Sequence, residues 1–408
     1  MIYDIIIVGS GMAGLYAAYT IQKMSPNTTF LILEKHKKQW IGGRTSNEMF
    51  YGTEIVTGAG IGRKKDKLLY GLLGELDLHK HGQTTPFTNH PYYSKLIVPL
   101  NAKHILNHLK EEYKKYKGPP LPFKTFAKSV LGEKMYQQFL ITIGYTDYEH
   151  EDAYETLYSY SMEDNICCLK AFHVPWRKMV MKLYEKIGAS HFKFSNNVSK
   201  ITKVGENFLI KTEENDVKYT CNKVVIATTI SSLRNLLPNP IYKDIEGQPF
   251  LRVYGKFSKK SIPVLKEYIK GYTCVPGPLQ KIIPMNPDTG VYMIAYSDNA
   301  NAVALKDKLR NTEENRDLYC TLIERSLGMP ENSLQLIALK DFYWPVGTHY
   351  YKPLNKKIYK TRDAFIDAAQ HPENGILVVG EVVSRNQGWT ESALESVKAV
   401  ISKRWINE

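Results

Sequence analysis

The residues best suited to chemistry are three glycines and an acid near the start of the chain. Gly9, Gly11 and Gly14 follow a β-branched run at 5–8, which predicts a buried parallel strand. The first glycine permits a tight turn, the second lets the backbone approach a pyrophosphate, and the third lets the next helix pack closely. A second predicted strand ends at Glu34, whose carboxylate can accept ribose hydroxyls. This spacing predicts a strand–turn–helix–strand unit that binds a dinucleotide at the helix N-terminus.

A glycine pair and an arginine follow Glu34 after a short loop. Gly42 and Gly43 expose backbone N–H groups, and Arg44 adds a planar fork of donors that suits phosphate oxygens. A second phosphate clamp at this place favours a long FAD over an NAD. On these residues the chain resembles the flavin-containing amine oxidase family, which includes monoamine, polyamine and L-amino-acid oxidases.

The far end of the chain carries a matching segment. A predicted buried strand ends at Gly380 and Glu381, and Gly388, Trp389 and Thr390 begin a predicted helix. The resemblance to the family's C-terminal flavin segment implies that Glu381 contacts the ribityl-phosphate region of FAD. It also implies that the backbone N–H of Thr390 donates to flavin O2, where negative charge gathers on reduction.

The resemblance implies further cofactor contacts. The glycine-rich loop at 58–61 matches the place where the family wraps the flavin, and the backbone at Val198 matches the adenine-side strand. Covalent monoamine oxidases have a cysteine near the position of Thr348, so the threonine implies FAD held without a covalent bond. The residues expected at the cofactor are Gly9, Gly11, Met12, Ala13, Gly14, Glu34, Lys35, Gly42, Gly43, Arg44, Gly58, Ala59, Gly60, Ile61, Val198, Gly380, Glu381, Gly388, Trp389 and Thr390.

The order of the predicted elements indicates an α/β fold: a Rossmann-type FAD-binding domain with a discontinuous substrate domain of mixed sheet plus helices. We expect the FAD-binding domain to comprise residues 1–80, 188–235 and 356–408. The substrate-binding domain is expected to comprise residues 81–187, largely helical, and 236–355, largely strands. A chain of 408 residues with 43% hydrophobic residues is long enough for two such domains.

Three side chains are candidates for catalysis. The family places two aromatic side chains face to face before the flavin, and Trp389 matches one wall of that cage. We expect Tyr350 to form the other wall, with Tyr351 as the alternative because the loop length leaves the register open. Many relatives have a lysine beneath the flavin, linked through water to N5, and the apolar alternation of the strand puts Arg252 at that position. Arginine can hold water or stabilise a reduced anionic flavin, but it cannot act as a base.

Together these residues imply a flavin-dependent amine oxidase. It would pass a hydride from the amine α carbon to flavin N5, and O2 would reoxidise the flavin and give H2O2. Two alternatives stay open. Protoporphyrinogen oxidases and carotenoid desaturases share the Gly-Gly-Arg segment and often lack the lysine, so a non-amine substrate fits the same fold. A non-catalytic FAD-binding scaffold would instead have a blocked cavity or a flavin that substrates cannot reduce.

An acidic stretch bears on the choice of substrate. Residues 147–155 contain five carboxylates, and relatives place this segment over the cavity. We expect the stretch either to attract a cationic amine such as a polyamine, or to be a solvated helix start whose acids complement the helix dipole. A helix is predicted at 154–169.

The resemblance implies a small-molecule amine and O2 as partners, and the composition argues against other classes of partner. The net charge is +13, but the basic runs are scattered and lack interleaved aromatics, so no nucleic-acid partner is expected. No apolar run is long enough to span a membrane, so no membrane anchor is expected. The five cysteines show neither metal-binding spacing nor a disulfide framework, so we expect no metal and a cytoplasmic location. The oligomeric state stays open.

Overall fold

The computed structural model describes residues 2–79, 87–166, 168–213 and 218–408. The strands are β1 (Ile2–Val8), β2 (Phe30–Leu33), β3 (Asn47–Phe50), β4 (Thr53–Val56), β5 (Gly62–Arg63), β6 (Phe87–Asn89), β7 (Tyr92–Tyr93), β8 (Leu169–Phe172), β9 (Phe192–Lys193), β10 (Val198–Val204), β11 (Asn207–Thr212), β12 (Lys218–Ile226), β13 (Ile245–Phe257), β14 (Thr273–Cys274), β15 (Lys281–Asn286), β16 (Val291–Asp298), β17 (Leu336–Tyr351) and β18 (Ile376–Val378). The helices are α1 (Met12–Met24), α2 (Lys67–Glu75), α3 (Ala102–Lys115), α4 (Phe123–Ile143), α5 (Ala153–Tyr158), α6 (Glu163–Ile166), α7 (Trp176–Ile187), α8 (Ile230–Leu236), α9 (Ile262–Tyr268), α10 (Asn299–Leu305), α11 (Glu313–Leu327), α12 (Arg362–Gln370), α13 (Thr390–Val400) and α14 (Lys403–Asn407).

The first sheet has the Rossmann arrangement predicted from the glycine motif. Its strand order is β10-β11-β12-β1-β2-β9, with β18 also paired to β12. Strand β1 runs parallel to β2 and β12, and β12 runs parallel to β18, whereas β10 and β11 add an antiparallel extension. Ile5, Ile6 and Ile7 are completely buried, as expected for a central strand covered on both faces. The predicted α/β fold class is therefore confirmed.

Helices on one face of this sheet fix the start of α1 beside the glycine turn. Helix α1 packs against both α7 and α13, and their apolar side chains share one buried core with the sheet. Burying a large apolar side chain stabilises a fold by about 1.5–3 kcal/mol, so this core holds α1 firmly. Because α1 begins at Met12, directly after the turn, its free N–H groups point to the edge of the sheet where phosphates bind in such folds.

A second sheet provides the other wall of the site. Its strand order is β17-β13-β16-β15-β14-β7. Strand β13 pairs antiparallel with both β16 and β17, which places Arg252 in a central strand opposite Tyr296 of β16. Helices α3, α4 and α5 pack around a separate apolar core. Helix α4 ends at Gly144 in a left-handed conformation with φ of +69°, and the chain then turns toward the second sheet.

The helix predicted at 154–169 is wrong in its extent. The structure has two short helices, α5 and α6, followed by strand β8. Ser161 interrupts the helix because its φ of +63° cannot continue a right-handed helix. Each of the two large sheets draws its strands from one of the two predicted sets of domain segments, and the domain boundaries themselves stay a prediction.

Within the described ranges, no helix combines the length and the apolar character needed to cross a membrane.

Candidate active site

A cavity of about 1370 Å³ opens at the carboxyl end of β1 and reaches the second sheet. Its wall includes Val8 and Leu33, which end β1 and β2, and Arg252 of β13. A pocket for one small molecule typically measures roughly 300–1,000 Å³. The cavity is therefore large enough for a long cofactor together with a substrate.

Two glycine loops meet at the carboxyl end of β1. Gly42 forms a bridge with Gly11, and its N–H donates to the carbonyl oxygen of Ser10 at 2.9 Å. Gly9 has a φ of +101°, and a Cβ there would lie 2.6 Å from the oxygen of Ala227, so the turn requires glycine. A Cβ on Gly11 would meet nothing within 4 Å. This open backbone face beside the start of α1 fits a pyrophosphate.

Glu34 is held in place at the end of β2. Its carboxylate accepts hydrogen bonds from the N–H and the O–H of Ser10, both at 2.8 Å, and from the N–H of His36 at 2.9 Å. The Glu34 side chain is largely buried but lines the cavity. Lys35 and Val198 line the cavity as well. A carboxylate accepts at about four lone-pair sites, so Glu34 retains capacity for a ribose hydroxyl. That contact stays a prediction.

An ion-pair network joins the two ends of the chain. Arg44 Nη1 donates to Oε1 of Glu381 at 2.8 Å, and the N–H of Gly388 donates to Oε2 at 2.9 Å. His349 Nε2 accepts the N–H of Ile230 at 3.1 Å. The proton of a neutral His349 therefore lies on Nδ1, which donates to Oε1 of Glu381. The predicted second clamp and the predicted C-terminal flavin segment thus meet at one carboxylate.

The charge state of Glu381 follows from these neighbours. Burial acts to raise the pKa of Glu381, but His349, Arg44 and the N–H of Gly388 outweigh it and hold the pKa well below its usual range. Glu381 is therefore an ionised carboxylate that fixes Arg44 beside the glycine loops. Because Nη1 of Arg44 is already bound to Glu381, only the other N–H donors of the guanidinium are available to a phosphate.

Arg252 lies beneath the glycine-rich loop that is predicted to wrap the flavin. Its side chain is 3% exposed, and Nε donates to the oxygen of Gly58 at 2.8 Å. A Cβ on Gly60 would lie 3.2 Å from Nη2. The guanidinium carbon lies 4.1 Å from the ring centre of Tyr296 and 4.9 Å from that of Phe250. The side chain is thus in the cavity wall and not on the protein surface, while its link to flavin N5 stays a prediction.

Trp389 precedes α13 and is fixed from two sides. Its Nε1 donates to Oδ2 of Asp66 at 2.8 Å, and the guanidinium of Arg63 lies 4.2 Å from the indole ring centre. The carboxylate of Glu391 accepts two N–H groups at the start of α2, at 2.8 and 2.7 Å, which ties α13 to α2. Trp389 and Thr390 both line the cavity, so the predicted flavin segment is part of its wall.

The cavity wall contains nearly all the residues expected at the cofactor, with one exception. Gly14 lies outside the wall, and a Cβ there would be 2.0 Å from the oxygen of Gly9, so its role is the close packing of α1 on the turn. The expected residues that line the cavity are Gly9, Gly11, Met12, Ala13, Glu34, Lys35, Gly42, Gly43, Arg44, Gly58, Ala59, Gly60, Ile61, Val198, Gly380, Glu381, Gly388, Trp389 and Thr390.

Tyr350, predicted as the second wall of the aromatic cage, does not line the cavity. Its ring lies beside His150 on another part of the chain, with ring centres 6.1 Å apart. Tyr350 shares a face of β17 with Thr348, which does line the cavity. Because two residues along a strand are about 7 Å apart, the Tyr350 side chain lies well away from Thr348. The alternative, Tyr351, is buried elsewhere and donates its hydroxyl to the oxygen of Ser384 at 2.8 Å. Neither tyrosine can face Trp389.

Other aromatic side chains line the cavity. Three of them, Tyr145, Tyr160 and Tyr296, were not predicted because contacts between distant parts of the chain bring them to the cavity. Tyr296 lies opposite Arg252 on the neighbouring strand, and Tyr145 follows the end of α4. No local sequence signal marks either position. The rings that line the substrate side of the cavity include Tyr145, Tyr160, Phe250, Tyr296 and Trp389.

Two carboxylates and one buried lysine accompany these rings. Asp147 and Asp298 line the cavity. The Nζ of Lys281 is fully buried without a hydrogen-bond partner in the described residues, 3.0 Å from the ring centre of Tyr145 and 3.7 Å from that of Tyr296. Burial raises the pKa of Asp147 to about 7 and lowers the pKa of Lys281 to about 7, each moderated by the charges nearby. This cluster was not predicted from the sequence.

The acidic stretch does not form a gate of five acids. Only Asp147 among them lines the cavity. Glu149 binds a tyrosine hydroxyl and a lysine, and Glu151 accepts a threonine hydroxyl at 2.9 Å. Asp152 and Glu155 form ion pairs with a buried arginine. Because these four carboxylates are all buried, the solvated part of the alternative is wrong. Its helix start is confirmed, since the Asp152 side chain caps α5 and Glu155 lies in the first turn of that helix.

Cysteine and metal chemistry add little to the site. Across the described ranges, no group of three or more His, Cys, Asp or Glu side chains is arranged to hold a metal ion. Cys221, Cys274 and Cys320 are free thiols. Cys168 takes part in a disulfide that the sequence pattern did not indicate, and Cys167 lies outside the described residues.

Comparison with known proteins agrees with this geometry. Residues 7–73 match the family model of an NAD(P)-binding Rossmann-like domain, and no curated protein matches the chain. A double mutant from a redesign of cofactor binding in putrescine oxidase matches with a TM-score of 0.76 at 14% identity, over 100% of this chain and 99% of that one. The wild-type enzyme bound to putrescine matches with a TM-score of 0.74 at 14% identity, over 98% of each chain. The chain shares the fold of putrescine oxidase.

A second kind of protein has this fold as well. A protein from Exiguobacterium sp. 255-15, provisionally named a protoporphyrinogen oxidase, matches with a TM-score of 0.71 at 14% identity, over 100% of this chain and 99% of that one. The predicted resemblance to the flavin-containing amine oxidases is confirmed at the level of the fold. The glycine cradle, Glu34 and the segment at 388–390 fit FAD, and the comparisons support FAD as the cofactor. The fold alone does not choose the substrate.

Proposed function

We propose that the protein is an FAD-dependent oxidoreductase that oxidises an amine. The observation that carries the proposal is a carboxylate oxygen open to an aromatic cavity. Oδ1 of Asp147 accepts the hydroxyl of Tyr160, whereas Oδ2 lies 4.0 Å from where a Cβ on Gly388 would be. The open oxygen is therefore beside the segment that carries Trp389. Aromatic faces and a carboxylate together favour a cationic nitrogen.

Trp389 and Arg252 each have a role in this proposal. FAD, when bound, supplies the acceptor for the two electrons of the substrate α C–H bond. Trp389 is held by Asp66 and Arg63 and orients the substrate. Arg252 contributes a fixed positive charge under the flavin-side loop and cannot act as a base. The product imine would hydrolyse to a carbonyl compound, and O2 would be the final electron acceptor and would form H2O2.

A non-amine substrate is the second candidate. Two observations favour it: the fold shared with the Exiguobacterium protein, and Arg252 at the position where many amine oxidases are expected to have a lysine. A planar tetrapyrrole or a polyene would use the same aromatic wall but would leave Asp147 without a partner. The cavity of about 1370 Å³ argues against a scaffold with a blocked cavity, and a scaffold whose flavin no substrate reduces is an outcome of the test below.

The test is anaerobic reduction of the bound flavin by a substrate panel. A monoamine, a diamine, spermidine and a neutral amino acid are mixed with the purified yellow protein, and loss of the flavin absorbance is followed. Protoporphyrinogen is tested in parallel, and porphyrin fluorescence reports its oxidation. Tyr350→Phe is the matched control, because this aromatic residue lies outside the cavity and should leave every rate unchanged. Bleaching by protoporphyrinogen and by no amine would refute the amine proposal.

A further inference from the structure

We propose that Asp147 is a catalytic residue that takes the proton from the substrate ammonium before oxidation. The inference rests on the proposed amine oxidation. An alkylammonium has no lone pair on nitrogen, so it must lose a proton before the α carbon can give up a hydride. Arg252, which occupies the position of the family lysine, stays charged. Among the described residues of the wall, a carboxylate with a free oxygen is best suited to accept this proton.

The position of Asp147 is set by two hydrogen bonds. The hydroxyl of Tyr160 donates to Oδ1 at 2.6 Å. The side-chain amide of Gln248, on β13, donates to the backbone oxygen of Asp147 at 2.6 Å and to the hydroxyl of Thr348 at 2.9 Å. These bonds tie the residue to the second sheet and direct Oδ2 toward the space near Gly388. A base with one oxygen fixed and the other open is preorganised for proton transfer.

Charged and polar groups from neighbouring elements act on the pKa of Asp147. Burial raises this pKa most, and the charge of Asp298 at the end of β16 raises it further. The Tyr160 hydrogen bond and the charge of Lys281 lower it. Lys281, at the start of β15, is itself a primary alkylammonium among the same rings. Its lowered pKa shows how this environment acts on such a group. Burial therefore raises the pKa of a carboxyl and lowers the pKa of an ammonium at this place, and both changes favour proton transfer from the ammonium to the carboxylate.

The proposed step balances in atoms and electrons. The substrate R–CH2–NH3⁺ and the Asp147 carboxylate become R–CH2–NH2 and the carboxylic acid. One N–H bond breaks, one O–H bond forms at Oδ2, and the electron pair stays on nitrogen. That lone pair then assists the departure of hydride from the α carbon to the oxidised flavin cofactor. No oxidant other than FAD is required.

The first experiment compares the parent holoenzyme with Asp147→Asn over a range of pH. We expect anaerobic flavin reduction by an amine to slow in the parent as pH falls through about 7, because Asp147 becomes protonated. At pH 8 the variant should reduce its flavin about 10²–10⁴-fold more slowly, the usual contribution of a general base. The acid limb of its pH profile should disappear. Equal rates and an unchanged limb would overturn the inference while leaving amine oxidation intact.

Three further variants keep the test valid if Asp147→Asn fails to fold. Tyr160→Phe removes a bond that lowers the pKa of Asp147, so the acid limb should move to higher pH. Asp298→Asn removes a charge that raises this pKa, so the limb should move to lower pH. Glu149→Gln is the matched control: a buried carboxyl of the same segment, outside the cavity wall, held by a tyrosine hydroxyl and a lysine. It should not move the limb. A limb unmoved in both Tyr160→Phe and Asp298→Asn would overturn the inference.

An infrared difference spectrum supplies a readout that does not depend on turnover. Tert-butylamine has no α C–H bond and cannot be oxidised, so it binds as an inert probe. At pH 9, its binding to the holoenzyme should produce a carboxylic-acid C=O band that is absent in Asp147→Asn. Binding without that band would reduce Asp147 to an ion-pair partner and overturn the proton transfer. If no amine reduces the parent flavin at any pH, the proposed function fails and the inference fails with it.

Discussion

Replacing Glu381 by glutamine should destabilise the folded protein measurably at neutral pH. The substitution keeps the shape but removes a charge that Arg44, His349 and the N–H of Gly388 all contact. Removing one partner of a buried ion pair typically costs about 3–5 kcal/mol. The Arg44 side chain is 29% exposed, which lets water screen part of the loss, so we expect about 2–3 kcal/mol in the free energy of unfolding.

The pH dependence gives the prediction its sign. The pKa of Glu381 is lower in the folded chain than its unfolded value of about 4.3. A group of this kind stabilises the fold fully above the unfolded pKa and progressively loses that contribution as pH falls toward the folded pKa. Stability of the parent should therefore fall between about pH 5 and pH 2 more steeply than that of Glu381→Gln.

Urea unfolding followed by circular dichroism measures both effects. FAD is kept at one concentration in excess, because a ligand that binds only the folded state adds to apparent stability. Glu111→Gln is the matched control, since Glu111 forms an exposed pair with Lys114 on α3 and should give no measurable change. A Glu381→Gln protein as stable as the parent at pH 7, or with the same slope at acid pH, would refute the ion-pair reasoning.

Three further predictions concern the cofactor and the aromatic wall. Gly11→Val should fold but bind no FAD, because its side chain would fill open cavity space. Gly14→Val should lose about 3 kcal/mol or more of stability, because its side chain would clash with the fixed backbone oxygen of Gly9. Measurements of bound cofactor and of urea midpoints distinguish the two variants. Trp389→Ala should retain FAD yet slow flavin reduction by substrate in stopped-flow absorbance, and unchanged kinetics would remove Trp389 from the site. Acid precipitation should release all the yellow colour, and colour left in the pellet would contradict non-covalent FAD.

The parts of the fold that could be predicted from the sequence are those governed by local rules. The β-branched run before Gly9 and the spacing of the three glycines predicted β1, the turn and α1, because turn geometry and helix packing each demand a particular residue type. The acid at Glu34 and the segment at 388–390 also lie on the cavity wall as expected. In each case the signal and the structure it specifies lie within a few residues of each other.

The substrate side of the site escaped prediction because it depends on pairing between distant strands. Tyr296 reaches the cavity because its strand pairs opposite Arg252, a register that sequence alone does not fix. Tyr350 was misplaced for the same reason, since it lies about 7 Å further along β17 than Thr348, which does line the cavity. Lys281 looks like any surface lysine in the sequence, and only the fold shows that it is buried.

The overall charge of the chain and the chemistry of its cavity point in opposite directions. A protein with a net charge of +13 repels cations at long range. At physiological salt the Debye length is about 8 Å, so surface lysines beyond that distance have little effect on a ligand inside the cavity. Inside the cavity, Asp147 and Asp298 lie near Arg252 and the buried Lys281, so the formal charges of these four groups cancel when all are ionised. Selectivity for an amine would then come from a specific open oxygen on Asp147, so loss of that single carboxylate should matter more than any change in surface charge.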